Sequence, residues 1–127
     1  MPFTDQLHLC VQIDVSFNKI HQVDLLELIA AMKGKSMASI GMAGCELGLK
    51  GAKVMAELVS VTGSLTEINL KNNSLGQEGW CVIFDALRDS PQSKISKWDL
   101  YNQGINPSIA KSLAAYVAVT GSLTEVC

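Results

Sequence analysis

The sequence predicts an α/β solenoid, a parallel sheet backed by an outer row of helices, and three observations predict it. The segment Val61-Thr62-Gly63-Ser64-Leu65-Thr66-Glu67 returns 58 residues later as Val119-Thr120-Gly121-Ser122-Leu123-Thr124-Glu125, and internal copies at such offsets mark stacked repeats. The template Leu65-x-x-Ile68-x-Leu70-x-x-Asn73-x-Leu75 fits the chain four times and begins a fifth. Each unit joins a stretch of apolar alternation, period 2, to a stretch with helical apolar spacing.

The units begin near Cys10, Met37, Leu65, Ile95 and Leu123, at separations of 27, 28, 30 and 28 residues. The first carries Cys10, Ile13, Val15, Asn18 and Ile20, and the second Met37, Ile40, Met42, Cys45 and Leu47. The fourth carries Ile95, Trp98, Leu100, Gln103 and Ile105, and the fifth starts with Leu123 and Val126. In each, the alternation places two side chains on the inner face of a short strand. The slot of Asn73 then turns the chain, and its amide suits backbone groups of neighbouring turns that the strands leave unpaired. Cys45 in that slot serves the same purpose more weakly. The second half of the third template unit's predecessor, Gly51 to Val59, places Ala52, Met55, Ala56 and Val59 on one helical stripe. One strand and one helix cannot bury their faces alone, so the units stack into a continuous core.

These residues resemble the leucine-rich repeat, L-x-x-L-x-L-x-x-N/C-x-L, over essentially the whole chain. The long period and the Gly-Ala opening of the helical half are similar to the ribonuclease-inhibitor-like subfamily. Two departures bear on local packing: Gln103 takes the Asn/Cys place, and Trp80 stands where Ala52 and Ala110 do. The resemblance implies one horseshoe domain over 1–127, possible as a piece of a longer array, with strands on the concave face and helices on the convex one. It also implies the family's habit of binding proteins, although a fold alone does not fix function.

Composition narrows the function further. Ten basic residues, a single arginine (Arg88) among them, stand against 12 acidic ones, a formal charge of −2. That balance argues against nucleic-acid binding. Hydrophobic content of 48% and a mean hydropathy of +0.24 argue against disorder and point to apolar surface that something covers. No run reaches the roughly 18 apolar residues of a membrane helix, which leaves apolar contact with a membrane-protein partner open. Met1 to Gln6 lack the features of a signal peptide, so a reducing compartment is favoured and Cys10, Cys45, Cys81 and Cys127 are expected to be free thiols. Cys10 and Cys45 read as buried, and Cys127 as the terminal, more reactive one. His8 and His21 lie outside any ligand spacing, so neither a metal nor a cofactor is expected. Gly44 and Gly48 form no phosphate loop, Gly41 marks a packing allowance in a strand, and Trp98 belongs to the core. No set of nucleophile, base and orienting residue can be assembled, so the chain is not expected to be an enzyme.

The surface carries the functional expectation. Register places Gln12, Asp14 and Ser16, then Ser39, Gly41 and Ala43, on the concave face, a small and nearly neutral half. Glu67, Asn69, Lys71, Lys97, Asp99 and Tyr101 follow, with Glu125 beginning the next turn. A mixed-sign patch with a tyrosine fits a protein partner. From Ile109 to Val119 the last helix is apolar all round except for Lys111 and Ser112, so a further repeat or partner is expected to cover it, with Tyr116 and Val119 as contacts. The resulting expectation is a non-catalytic protein–protein interaction module, an accessory or structural subunit of a larger complex. The alternative is a regulator of an enzyme, of inhibitor or GTPase-activating type, acting through the same solenoid.

Overall fold

The computed structural model describes residues 12–33, 35–90 and 93–127. Strands and helices alternate: β1 (Gln12–Asp14), α1 (Gln22–Met32), β2 (Ser39–Gly41), α2 (Gly48–Val61), β3 (Glu67–Asn69), α3 (Gly76–Arg88), β4 (Lys97–Trp98), α4 (Pro107–Val119) and β5 (Glu125–Val126). The strands form one parallel sheet in sequence order. Ile13 pairs with Ile40 and Ile40 with Ile68, and Trp98 pairs with Val126. The repeat register read from the sequence is therefore the register of the sheet. The sequence reading of Cys10 and His8 lies outside the described residues.

The core runs between sheet and helices along the whole array. Ile40, Met42, Ile68, Leu70, Trp98 and Leu100 point inward from the strands, against Ala52, Met55, Ala56 and Val59 of α2 and their counterparts. In the third and fourth units the core turns aromatic. Trp80 stacks on Phe84 at 5.5 Å, and Trp98 meets both rings edge-on at 6.2 and 5.4 Å. Trp80 thus keeps the inward orientation of Ala52, and the bulk is absorbed by aromatic packing.

Asn73, 1% exposed, stitches two units together. Its Oδ1 accepts from the backbone N–H of Cys45 (2.8 Å) and Leu47 (3.4 Å), and its Nδ2 donates to the carbonyls of Met42 (2.8 Å) and Leu70 (3.0 Å). In the preceding unit the Cys45 thiol donates to the Val15 carbonyl at 3.3 Å. Gln103, one methylene longer than Asn, reaches past the equivalent backbone group and accepts from the N–H of Asn72 instead (2.8 Å). Cys45 is a buried free thiol, Cys81 half-buried and Cys127 exposed.

Each turn after a strand needs a left-handed residue, supplied in order by Phe17, Gly44, Asn72 and Asn102 (φ +61°, +64°, +57° and +56°). An added Cβ at Gly44 would sit 2.5 Å from Phe17 Cδ1, but that ring is 72% exposed and free to swing aside. The backbone term should therefore dominate in Gly44→Ala, which is expected to cost about 1–2 kcal/mol. Gly44→Asn should cost clearly less, because asparagine occupies this slot twice in the chain. Urea unfolding of the two variants checks this; equal losses would locate the cost in the contact with Phe17.

Candidate functional site

The concave face is built by the side chains that alternate with the core. Glu67, Lys97 and Glu125 stand in adjacent register on β3, β4 and β5, and all three are exposed. Ser39 Oγ donates to Glu67 Oε2 at 3.4 Å. Among the described residues, Lys97 has no carboxylate within 4 Å, so it and its two acidic neighbours keep their charges available.

The next row is more constrained. Asn69 Oδ1 accepts from the Lys71 N–H (3.1 Å), and Asp99 Oδ1 accepts from the Tyr101 N–H (3.1 Å). Asp14 does the same for the Ser16 N–H (3.0 Å). These short loops from a side chain to the backbone two residues on fix the end of each strand. Asp99 also pairs with Lys71 at 3.2 Å. The Tyr101 N–H first, then the Lys71 ammonium, hold the Asp99 carboxyl below its ordinary range. Asp14 is likewise held down by the Ser16 hydroxyl and N–H, and its Oδ1 occupies the space a Cβ on Gly41 would need (2.6 Å). Gly41 is the expected packing allowance, made for this carboxylate.

A shallow depression of about 210 Å³ opens here, lined by Glu67, Asn69, Lys97, Asp99 and Glu125 above Ile40, Ile68 and Trp98. Four of the concave residues singled out in the sequence thus share one hollow. Lys71 and Tyr101 stand one step further along the same face, and Tyr101 is 74% exposed. Such a surface is suited to contact with another macromolecule. A second, more polar depression lies against Lys19, Ile20, His21, Gln22 and Glu46. No group of three metal-ligating side chains occurs among the described residues.

The C-terminal helix requires a correction. Tyr116, expected to face outward, is fully buried. Its ring stacks on Phe84 at 6.1 Å, and its hydroxyl lies 3.3 Å from Trp98 Nε1. A helix apolar on every side gives no amphipathic signal for which residue turns inward; here the aromatic cluster of Phe84 and Trp98 takes up the ring. Val119 is exposed, together with Val117, Ala110 and Ala114. Phe17 was not foreseen as a surface aromatic. The available signal was its position, since it stands where the other units place glycine or asparagine.

No protein-family profile matches the chain. Individual proteins do. NACHT, LRR and PYD domains-containing protein 12 of Mus musculus is 26% identical over 113 residues, 87% of this chain and 11% of that protein. Ribonuclease inhibitor of Sus scrofa is 30% identical over 82 residues, 65% of this chain and 18% of the inhibitor. NACHT, LRR and PYD domains-containing protein 3 of Homo sapiens is 22% identical over 118 residues. The chain thus spans less than a fifth of the length of these curated relatives. Among solved structures, Leiomodin-1 actin-binding site 2 superposes with a TM-score of 0.78 at 15% identity, over 91% of this chain and 68% of that one, a likeness of fold. With strands, turn residues and helices in the predicted register, the chain has the leucine-rich repeat solenoid fold, and in sequence it is similar to ribonuclease inhibitor and to NACHT, LRR and PYD domains-containing proteins.

Proposed function

We propose that the chain is a non-catalytic protein–protein interaction module, an accessory or structural subunit of a larger assembly, and that it takes its partner on the C-terminal half of the concave face. The observation that carries this reading is Tyr101, an aromatic ring 74% exposed beside the fixed Lys71–Asp99 pair. Tyrosine offers large contact area at low entropy cost and one directed hydrogen bond. Lys97 between Glu67 and Glu125, with Asn69 beside them, sets orientation and association rate, as rim charges do. The names of the similar proteins support the class: one is an inhibitor of ribonuclease and one an actin-binding site.

Once cross-linking and mass spectrometry have identified a neighbour, titration of variants tests the surface. Tyr101→Ala is expected to weaken binding by about 2 kcal/mol. Lys71→Ala should cost noticeably less, because Asp99 keeps its bond to the Tyr101 N–H, and Ser39→Ala should be silent. Equal affinities for all three would move the contact off the concave face. The ribonuclease-inhibitor relative favours a second reading, regulation of an enzyme, through the same surface. A neighbour that is an enzyme, slowed by the chain and not by Tyr101→Ala, would select it.

A further inference from the structure

The turn after β1 is built unlike those that follow it. In the second and third units the chain passes through further left-handed residues after the turn slot, Glu46 and Gly48 (φ +58° and +63°), then Ser74 and Gly76 (+53° and +69°). Among the described residues of the first unit none follows Phe17, and His21, in the place of Gly48, has φ −57°. The first loop therefore stands away from the second, and a hollow of about 530 Å³ opens between them. Lys19, Ile20, His21 and Gln22 line it from the first loop and Glu46 from the second. Lys19 and Glu46 are both exposed, and neither makes an ion pair among the described residues.

Phe17 stands on the border of this hollow. It lies two residues before Lys19, and its ring rests against Gly44, two residues before Glu46. Its left-handed backbone (φ +61°) is strained for an aromatic residue, in a slot where the other units use glycine or asparagine. Burial does not offset the strain, because the ring is 72% exposed. Val23, just past Gln22, is 70% exposed, so the border carries two apolar side chains in water. Strained residues held without gain to the fold cluster at sites of function. We infer that this corner of the molecule binds a second copy of the same chain about a two-fold axis, each Phe17 entering the other's hollow and each Lys19 meeting the other's Glu46. Shape and charge complementarity select that occupant. A knob beside a hollow, and one cation beside one anion, are each satisfied twice by a two-fold contact. The contact is small and rimmed by solvated charges, so the dimer is weak, with a Kd on the order of 10 µM. The inference is independent of the concave-face reading.

Sedimentation velocity of the 127-residue chain, at concentrations bracketing that value, tests this. The parent should pass from monomer to dimer. Phe17→Asn should weaken the dimer at least about tenfold while leaving the urea midpoint of the dilute chain unchanged or raised, a combination that a purely structural role for the ring would not give. Lys19→Glu and Glu46→Lys should each weaken it by about tenfold, since each variant opposes like charges twice. Their equimolar mixture should recover the parent affinity, because both cross-pairs are then opposite in sign. A parent that stays monomeric throughout overturns the inference, whether the corner takes a different protein or none. So does a dimer that survives Phe17→Asn, that is lost in Tyr101→Ala, or that the mixture fails to restore.

Discussion

Asn73→Ala is expected to destabilise the chain by about 3–5 kcal/mol, because a buried donor or acceptor left without its partner costs about 1–3 kcal/mol. The amide serves five backbone groups of two units, among them the N–H of Cys45 at 2.8 Å and the carbonyl of Met42 at 2.8 Å. Water cannot replace it freely at a site 1% exposed. Asn73→Asp should be no better. It keeps an acceptor for the Cys45 and Leu47 N–H groups, but turns an oxygen toward the Met42 and Leu70 carbonyls and buries a charge. Gln103→Ala, in the half-exposed counterpart of the same slot, is expected to cost about 1 kcal/mol. Urea unfolding of the three variants provides the comparison. A loss at Asn73 no larger than that at Gln103 would mean that stacking of the apolar faces alone sets the register.

The register of the strands and the role of Asn73 were legible because both are one-dimensional: a period of 2, a repeat length, and one polar residue recurring in an apolar frame. The concave residues followed from the same alternation. What lay between units was harder to read. The Lys71–Asp99 pair joins residues 28 apart, and it depends on which side chains the twist of the sheet brings together. The contact of Gln103 with Asn72 depends on one methylene. The burial of Tyr116 depends on shape, since Leu113, Tyr116 and Val117 are all apolar and only the space beside Phe84 and Trp98 selects among them. Periodicity names a face of a helix where the other face is polar. Where it is not, volume decides.

Trp98→Ala should cost about 3–5 kcal/mol, the usual range for removing a buried aromatic. The indole is 2% exposed and lies edge-on to both Trp80 and Phe84, so its removal opens a cavity in a cluster too interlocked to collapse. It also deprives the Tyr116 hydroxyl of its indole partner at 3.3 Å. Trp98→Phe should recover most of the apolar contribution and leave the lost hydrogen bond, about 1 kcal/mol. The same hydroxyl makes stability depend on alkaline pH. Burial raises the Tyr116 pKa, and hydrogen bonds with Trp98 and Thr120 oppose that only in part. The folded chain thus holds the neutral phenol while the unfolded chain ionises near the ordinary value of about 10. This contribution is fully present below that value and is lost as pH rises above it, through the raised folded pKa. Tyr116→Phe should therefore flatten the fall of stability between neutral and alkaline pH while leaving Trp98 Nε1 without its partner. An alkaline slope as steep in Tyr116→Phe as in the parent would assign the loss to other groups, and the buried phenol would then be no more than a packing element.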